Sequence, residues 1–349
     1  MQRKTEGVVL VDVGKPLRLM SLTLPELKPG QVLVEVAYSG VCHTQLMEVR
    51  GLRGLDRFLP HTLGHEGSGI VVETGPGVER LNSGDRVVLS WIKGTGADIP
   101  NAAYQCQEMG KVNSGAISTF LRHAVVSENR ITRIQNDMPL REAALLGCAI
   151  PTGVGMVLNT AKVRPGDEVA VFGVGGIGLS AVQACSLMNA TTVIAVDVFD
   201  HKLEQARLMG ATHVVNASKE DPLAKIREIT HGRGVDCSIE AAGKRDTMEK
   251  AFAAVRVGGG RCVLAGNLPH GEQILLNPFD LINGKQIVGT WGGESRPEKD
   301  IPLYVNLYRH GRLNLTDLIT HEYPLEDINA AFQDLEDGKV GRSVIRIEG

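Results

Sequence analysis

The stretch that decides the fold is EVAVFGVGGIGLSAVQACSLM, residues 168–188. EVAVF reads as a buried strand, LSAVQACSLM as an apolar helix, and GVGGIG (173–178) between them sets Gly173, Gly175 and Gly178 in the order GxGxxG. In a strand–turn–helix, the first glycine permits the tight turn. The second lets a pyrophosphate approach the backbone, and the third lets helix and strand pack closely. Gly176 and Ile177 complete the loop, and the helix N-terminus would face the phosphates. The pattern alone is weak and also fits a generic glycine-rich turn. Its context is stronger: Asp197 ends the next apolar run, TTVIAVD, about 20 residues on, where a ribose-binding acid is expected. A carboxylate there accepts hydrogen bonds from both ribose hydroxyls and repels a 2′-phosphate, which favours NAD over NADP. Lys202 can reach the same ribose. Residues 169–196 carry no charge, but their glycines, Gln183, Asn189 and a Thr-Thr pair suit a buried strand, turn and helix better than a membrane span.

Outward from this stretch, EVAVF, TTVIAVD, THVVN, VDCSIE, GRCVLAG and KQIVGT are six short apolar runs, most of them separated by helix-like segments such as DHKLEQARLMG. That alternation predicts an α/β fold with a doubly wound parallel sheet, the Rossmann arrangement, over residues 151–291. Gly266, at the end of GRCVLAG, joins the expected coenzyme-binding residues. The first 150 residues have a different rhythm. QVLVEVAYSG (31–40), GSGIVVETG (67–75) and GDRVVLSW (84–91) are strand-like and punctuated by turn signals, which predicts a mostly antiparallel β region. Residues 292–349 add two helix-like segments and a last strand, RSVIRIE, and are grouped with 1–150 as a second, β-rich domain.

Composition narrows the class. Apolar residues make up 43% and charged residues 22% of 349, and the formal net charge is −3. Nothing argues for a nucleic-acid or anionic-membrane surface. The N-terminal MQRKTEGVVLVDVGKP lacks a long apolar core and reads as a first strand rather than a signal peptide. Six cysteines contain no CxxC pair, so disulfides are not expected and a cytoplasmic setting is.

Metal-ligand residue types fall in three separate segments. GVCHTQ (40–45) carries Cys42 and His43, GHEGSG (64–69) carries His65 and Glu66, and LLGCAIPTGVG (145–155) carries Cys148 and Thr152. Two cysteines and a histidine would make a zinc set with one position left open, the mark of a catalytic site. The spacing forms no local motif and does not prove this.

Taken together, GVCHTQ, GHEGSG, GDRVV, GC, TGVG, GVGGIG and VD resemble the medium-chain dehydrogenase/reductase superfamily and, within it, the zinc-dependent alcohol dehydrogenases. The likeness runs nearly end to end and includes LITHEYPLEDINAAF (318–332). The resemblance implies a GroES-like catalytic domain, one catalytic zinc on Cys42, His65 and Cys148, and NAD as hydride acceptor. It implies that Glu66 lies close to the metal and that Thr44 takes the alcohol proton. His43 and Arg342 would meet the coenzyme pyrophosphate, Thr152 and Ile177 would pack around the nicotinamide, and Trp91 would line the substrate pocket. Zinc and nicotinamide would share the cleft between domains, and the assembly would be a homodimer, with a tetramer as alternative.

Three departures qualify the likeness. The segment after GDRVV, where most relatives carry four closely spaced cysteines for a structural zinc, is short and has Cys106 alone, so no structural zinc is expected. Gln45 replaces the aspartate that orients the ligand histidine; it can accept a hydrogen bond from His65 but brings no charge. Met47 stands where many relatives have a proton-relaying histidine. Cys106, Cys185, Cys237 and Cys262 are expected as buried fillers, and His61 as an ordinary strand or loop residue. His321 is given a packing role, and Arg50, Arg53, Arg57 and Lys93 a solvated face. The substrate would be a small-molecule alcohol. A glutathione-dependent formaldehyde dehydrogenase and a zinc-free quinone or enoyl reductase are the rival enzymes, and a non-catalytic binding protein the rival of another class.

Overall fold

A computed structural model describes residues 3–347 of the chain. They divide into two compact units. One comprises 3–148, 296–309 and 315–347; the other comprises 149–295 and 310–314. The short return at 310–314 has a local cause: Asn314 exchanges two hydrogen bonds with Gln183, through N–H to Oε1 at 2.7 Å and Nε2–H to its carbonyl at 3.1 Å.

The second unit is built on a six-stranded sheet. In spatial order its strands are His213–Asn216, Thr192–Asp197, Glu168–Phe172, Cys237–Glu240, Arg261–Leu264 and Gln286–Gly289. All neighbours run parallel. These are the six apolar runs of the sequence, and their order reverses at Glu168–Phe172, the strand that feeds GVGGIG. Parallel strands need crossovers and are covered on both faces. Accordingly the helix Gly176–Leu187, whose residues 178–185 are all buried, follows the first strand, and Ala170, Phe172, Ile194, Val196 and Val215 form a continuous core.

The first unit holds two β structures. Lys4–Leu10, Arg18–Thr23, Ala103–Cys106, Gly110–Asn113 and His61–Thr62 close a small barrel. A seven-stranded sheet is centred on Gln31–Gly40, which pairs with Glu66–Thr74 along one edge. Along the other edge its first half pairs with His123–Ser127 and its last residues with Ser343–Arg346. The expected antiparallel character holds except where His321–Pro324 runs parallel to Ser343–Arg346 and His61 pairs parallel with Asn113. The two helix-like segments near the C-terminus form Pro297–Arg309 and Ile328–Glu336. Among the described residues no single helix is long and apolar enough to cross a membrane.

The segment after Arg86–Ser90 has its own anchors. The Glu128 carboxylate accepts from Ala97 N–H at 3.1 Å, Ser127 Oγ accepts from Ile99 N–H at 2.8 Å, and Gly94 and Asn129 exchange backbone bonds with this loop. Arg80 donates to the Thr95 carbonyl. Side chains and backbone thus close this loop.

Candidate metal and coenzyme site

Cys42 ends the extended chain before the helix His43–Val49 and is its N-cap, with φ −122° and ψ 143°. The strand-to-helix change there aims Cys42 inward while His43 stands exposed on the first helical turn, so the adjacent pair need not share an ion. His65 precedes the strand Glu66–Thr74, and Cys148 follows a buried turn of 3₁₀ helix, Ala144–Gly147. Their three donor atoms lie within 4.8 Å of one another, with both cysteines buried and His65 half-buried. A hydrogen bond with Cys148 holds the Cys42 thiol well below its ordinary range, against the opposing push of burial; His65 and then Arg342 add to the lowering. A thiolate is the metal-binding form of cysteine, so two sulfurs and an imidazole in this setting fit a zinc ion.

Glu66 and Arg342 sit beside these donors. Glu66 is fully buried and ion-paired with Arg342, whose side chain is 6% exposed. Arg342 also donates to the Val41 carbonyl at 2.7 Å, and burial draws its guanidinium pKa down while the neighbouring Cys42 opposes that. Ser343–Arg346 runs beside Gln31–Gly40 and delivers the Arg342 guanidinium to Glu66, beside Cys42.

Gln45 is buried and its Oε1 has no hydrogen-bond partner among the described residues, so the expected acceptance from His65 is not made. Its backbone N–H bonds the Cys42 carbonyl in the first helical turn. Met47 is buried in the same helix. Thr44 is half-buried one residue beyond His43. Trp91 is half-buried against the barrel core, with its carbonyl accepting from Arg130. His321 is exposed and its ring stacks on Tyr323 at 6.3 Å, so its packing is at the surface. Arg50 and Lys93 are ion-paired with Glu336 and Asp98 rather than merely solvated. Cys106, Cys185, Cys237 and Cys262 are all buried free thiols, as fillers would be.

In the second unit the glycine loop has the geometry its sequence requires. Gly173 takes φ 83°, a left-handed conformation that favours glycine. A Cβ at Gly178 would collide with the Gly173 carbonyl, whereas one at Gly175 would meet nothing within 4 Å. Backbone crowding is therefore confined to the turn, and the position where a phosphate would approach is open. Gly175 caps the helix Gly176–Leu187, and Ile177 is half-buried in its first turn. Asp197 is already engaged: Oδ2 accepts from Val174 N–H at 2.9 Å, and Oδ1 from Val198 at 2.8 Å and Phe199 at 3.2 Å. Three donors on about four lone-pair sites leave room for one ribose hydroxyl rather than two. Lys202 is half-buried over the Phe199 ring, 4.9 Å from its centroid; burial lowers its pKa and Asp197 opposes the shift. Thr152 is 6% exposed with Oγ1 unpartnered among the described residues.

Sequence reasoning missed Glu240. It ends Cys237–Glu240 fully buried, and its Oε1 accepts from Ala242 N–H at 3.0 Å, Gly243 N–H at 2.8 Å and the Thr247 hydroxyl at 2.7 Å. Gly266 packs against it: a Cβ there would come within 2.5 Å of Glu240 Oε2. The carboxyl thus ties its own strand to the loop and helix that follow it at the carboxyl end of the parallel sheet, its Oε2 lies close against Gly266 without a hydrogen-bond partner among the described residues, and burial raises its pKa. The signal lay in VDCSIE, where one acid ends an otherwise buried strand.

Residues 28–136 match the alcohol dehydrogenase GroES-like domain and residues 176–308 the zinc-binding dehydrogenase family. An S-(hydroxymethyl)glutathione dehydrogenase of Synechocystis sp. is 35% identical over 98% of this chain and 99% of its own. That alignment runs over 367 positions, more than the 349 residues present here, so the relative carries insertions. The class-3 alcohol dehydrogenase of Cereibacter sphaeroides is 32% identical over 98% of this chain and 99% of its own. Among solved structures, the benzyl alcohol dehydrogenase of Acinetobacter calcoaceticus superposes with a TM-score of 0.90 at 32% identity, covering 99% of this chain and all of its own. With the donor cluster, the glycine loop and these full-length likenesses together, the chain belongs to the zinc-dependent alcohol dehydrogenase family of the medium-chain dehydrogenase/reductase superfamily, and it is an oxidoreductase acting on CH–OH groups.

Proposed function

We propose that the protein binds one zinc ion per chain through Cys42, His65 and Cys148 and uses NAD to interconvert a small-molecule alcohol and its aldehyde or ketone. The observation that carries this reading is the convergence of the three donor atoms within 4.8 Å, from segments 23 and 83 residues apart in sequence. When bound, zinc supplies a Lewis acid for the alcohol oxygen, and NAD supplies the hydride acceptor. Two thiolates and a neutral imidazole balance the charge of the ion. Thr44, in the helix that Cys42 caps, takes the alcohol proton. Glu66 and Arg342 neutralise each other behind the ligands and set the field around Cys42. The glycine loop holds the pyrophosphate, with His43 as a further phosphate contact. Asp197 binds one ribose hydroxyl, and its charge favours NAD over a 2′-phosphorylated coenzyme. Thr152 and Ile177 flank the nicotinamide, and Trp91 borders the alcohol.

Cys106 stands without a partner cysteine, and polar groups close the loop at 93–100, so no second zinc is proposed. The setting is cytoplasmic, in keeping with six free thiols. A homodimer is proposed through Gln286–Gly289, an edge of the parallel sheet near which Ile282 (77%) and Trp291 (75%) are exposed. An unpaired edge with apolar neighbours is a template for pairing with a second copy. Light scattering on the purified chain tests this.

The deciding experiment is metal analysis combined with NADH formation across aliphatic, aromatic and polyol alcohols. One zinc per chain and activity with some member are expected; a zinc-free protein would sink the reading. The names of the relatives favour one alternative, oxidation of the glutathione adduct of formaldehyde, and activity that requires glutathione would select it.

A further inference from the structure

Each of the three metal donors is held through the residue next to it in the chain. Val41, before Cys42, gives its N–H to the Ser343 carbonyl at 3.1 Å and its carbonyl accepts from Arg342 at 2.7 Å. The carbonyl of Glu66, after His65, lies 2.9 Å from the Ser39 hydroxyl and 3.0 Å from that of Thr119. The carbonyl of Gly147, before Cys148, accepts from the Ser90 hydroxyl at 2.7 Å. This support runs through the backbone. The side-chain support expected from Gln45 is not made, its Oε1 having no hydrogen-bond partner among the described residues.

Ser90 reaches the segments of two donors. It is 1% exposed, and its hydroxyl donates to Gly147 while accepting from Ile92 N–H at 3.0 Å. In the antiparallel pairing of Arg86–Ser90 with Glu66–Thr74, Ser90 lies opposite Glu66, the neighbour of His65. Gly147 is pressed onto the same two strands: a Cβ there would come within 2.2 Å of the Leu89 carbonyl and 2.8 Å of Glu66 Cβ. Cys148 itself leaves the 3₁₀ path of Ala144–Gly147, with φ −149° and ψ −64°. The direction of its side chain is therefore set by what holds Gly147, not by a continuing helical turn.

We propose that Ser90 is a positioning residue for the metal: its hydroxyl holds Cys148 in place before the ion arrives, and so sets how tightly zinc is bound. A donor fixed in advance loses less freedom on binding, and groups outside the ligand set act on affinity in this way. The role rests on the zinc site proposed above and needs neither coenzyme nor alcohol.

Zinc affinity of the full-length chain, read by competition with a chromophoric chelator, tests this. Ser90→Ala should bind zinc about tenfold more weakly than the parent, the lower end of the range for partners outside the ligand set. Ser90→Thr keeps the hydroxyl and should bind as the parent does. Ser238→Ala controls for lost stability alone. Ser238 is also fully buried and donates to a backbone carbonyl, that of Ala251, at 2.7 Å, but within the second unit. Its loss should lower the melting temperature of the metal-free chain and leave zinc affinity unchanged. With cobalt(II) in place of zinc, the thiolate-to-metal charge-transfer band should shift in Ser90→Ala and coincide with the parent's in Ser90→Thr and Ser238→Ala. If Ser90→Ala does not fold, Ser90→Val against Ser90→Thr makes the same comparison at matched volume, and the valine variant should bind about tenfold more weakly. Equal affinity with and without the hydroxyl, in the presence of a zinc-binding parent, overturns the role of Ser90 and leaves the zinc site standing. An equal loss in Ser238→Ala and Ser90→Ala also overturns it. A parent that takes up no zinc overturns both the role and the site.

Discussion

Replacing Arg342 by methionine separates the two roles that sequence and structure give it. Glu66 is fully buried and Arg342 is its counter-ion. Methionine fills most of the volume but removes the charge, leaving a carboxylate at a site where water does not compensate it. Breaking a buried pair in this way costs about 3–5 kcal/mol. The Val41 carbonyl loses its 2.7 Å donor as well, for about a further 1 kcal/mol. In a chain of this size each kcal/mol moves the melting temperature by about 2 °C, the low end of the range for large domains, so Arg342→Met should melt about 8–12 °C lower. The measurement is differential scanning calorimetry at a fixed excess of zinc, because bound metal raises Tm by mass action. The double variant Glu66→Gln with Arg342→Met should recover most of the loss, since no buried charge remains. A guanidinium that served only the coenzyme phosphates would give another pattern: an elevated KM for NAD and an unchanged Tm. A single variant melting within about 1 °C of the parent, below the uncertainty of these costs, would refute the burial argument.

Four further outcomes are expected. Gly178→Ala drives a Cβ into the Gly173 carbonyl, so NAD binding followed by calorimetric titration should be lost. Cys148→Ser should leave the protein without stoichiometric zinc in elemental analysis, while Cys106→Ser should keep the parent's content. Tyr104→Phe removes the acceptor of Val125 N–H, a 2.9 Å bond within the barrel unit; a buried donor without a partner costs about 1–3 kcal/mol, read from urea denaturation. The Glu240 carboxyl is raised by burial, so the folded state holds its proton more tightly than the unfolded chain. Its presence therefore costs stability as pH rises from about 4.3, the unfolded value, through the folded one. Glu240→Gln should gain on the parent in Tm across that window, and parallel Tm–pH curves for the two would contradict this.

The glycine loop and the six strands around it were legible because their signals are local. Each apolar run is bounded by turn residues, and a parallel sheet buried on both faces leaves little polar interruption. The metal donors were legible only through resemblance, since Cys42, His65 and Cys148 are joined by folding rather than by spacing. What escaped were pairings between distant strands. Arg342 reaches Glu66 because Ser343–Arg346 runs beside Gln31–Gly40, and nothing in GRSVIRI announces that neighbour. Gln45 is read from the role of the residue it replaces, but its side-chain oxygen is buried with no hydrogen-bond partner among the described residues. His61 looked ordinary because its partner, Asp56, is a loop acid with no periodic context, and the buried pair exists only once the barrel strand His61–Thr62 is in place.

The split of the first unit has a consequence for how the protein is made. The second unit is almost wholly continuous and can form while the chain is still emerging, since domains generally fold as units during synthesis. The first unit cannot. Its central strand, Gln31–Gly40, awaits Ser343–Arg346 along the edge next to the donors, and Glu66 awaits Arg342. Until those last residues leave the ribosome, a buried carboxylate has no counter-ion, and the thiols beside it lie against an open sheet edge. Completion of the metal-binding pocket is thus tied to synthesis of Arg342 and the strand that follows it. A chain cut before Arg342 would hold a folded coenzyme unit and a donor set that cannot close, so metal loading waits on the synthesis of residues 342–346.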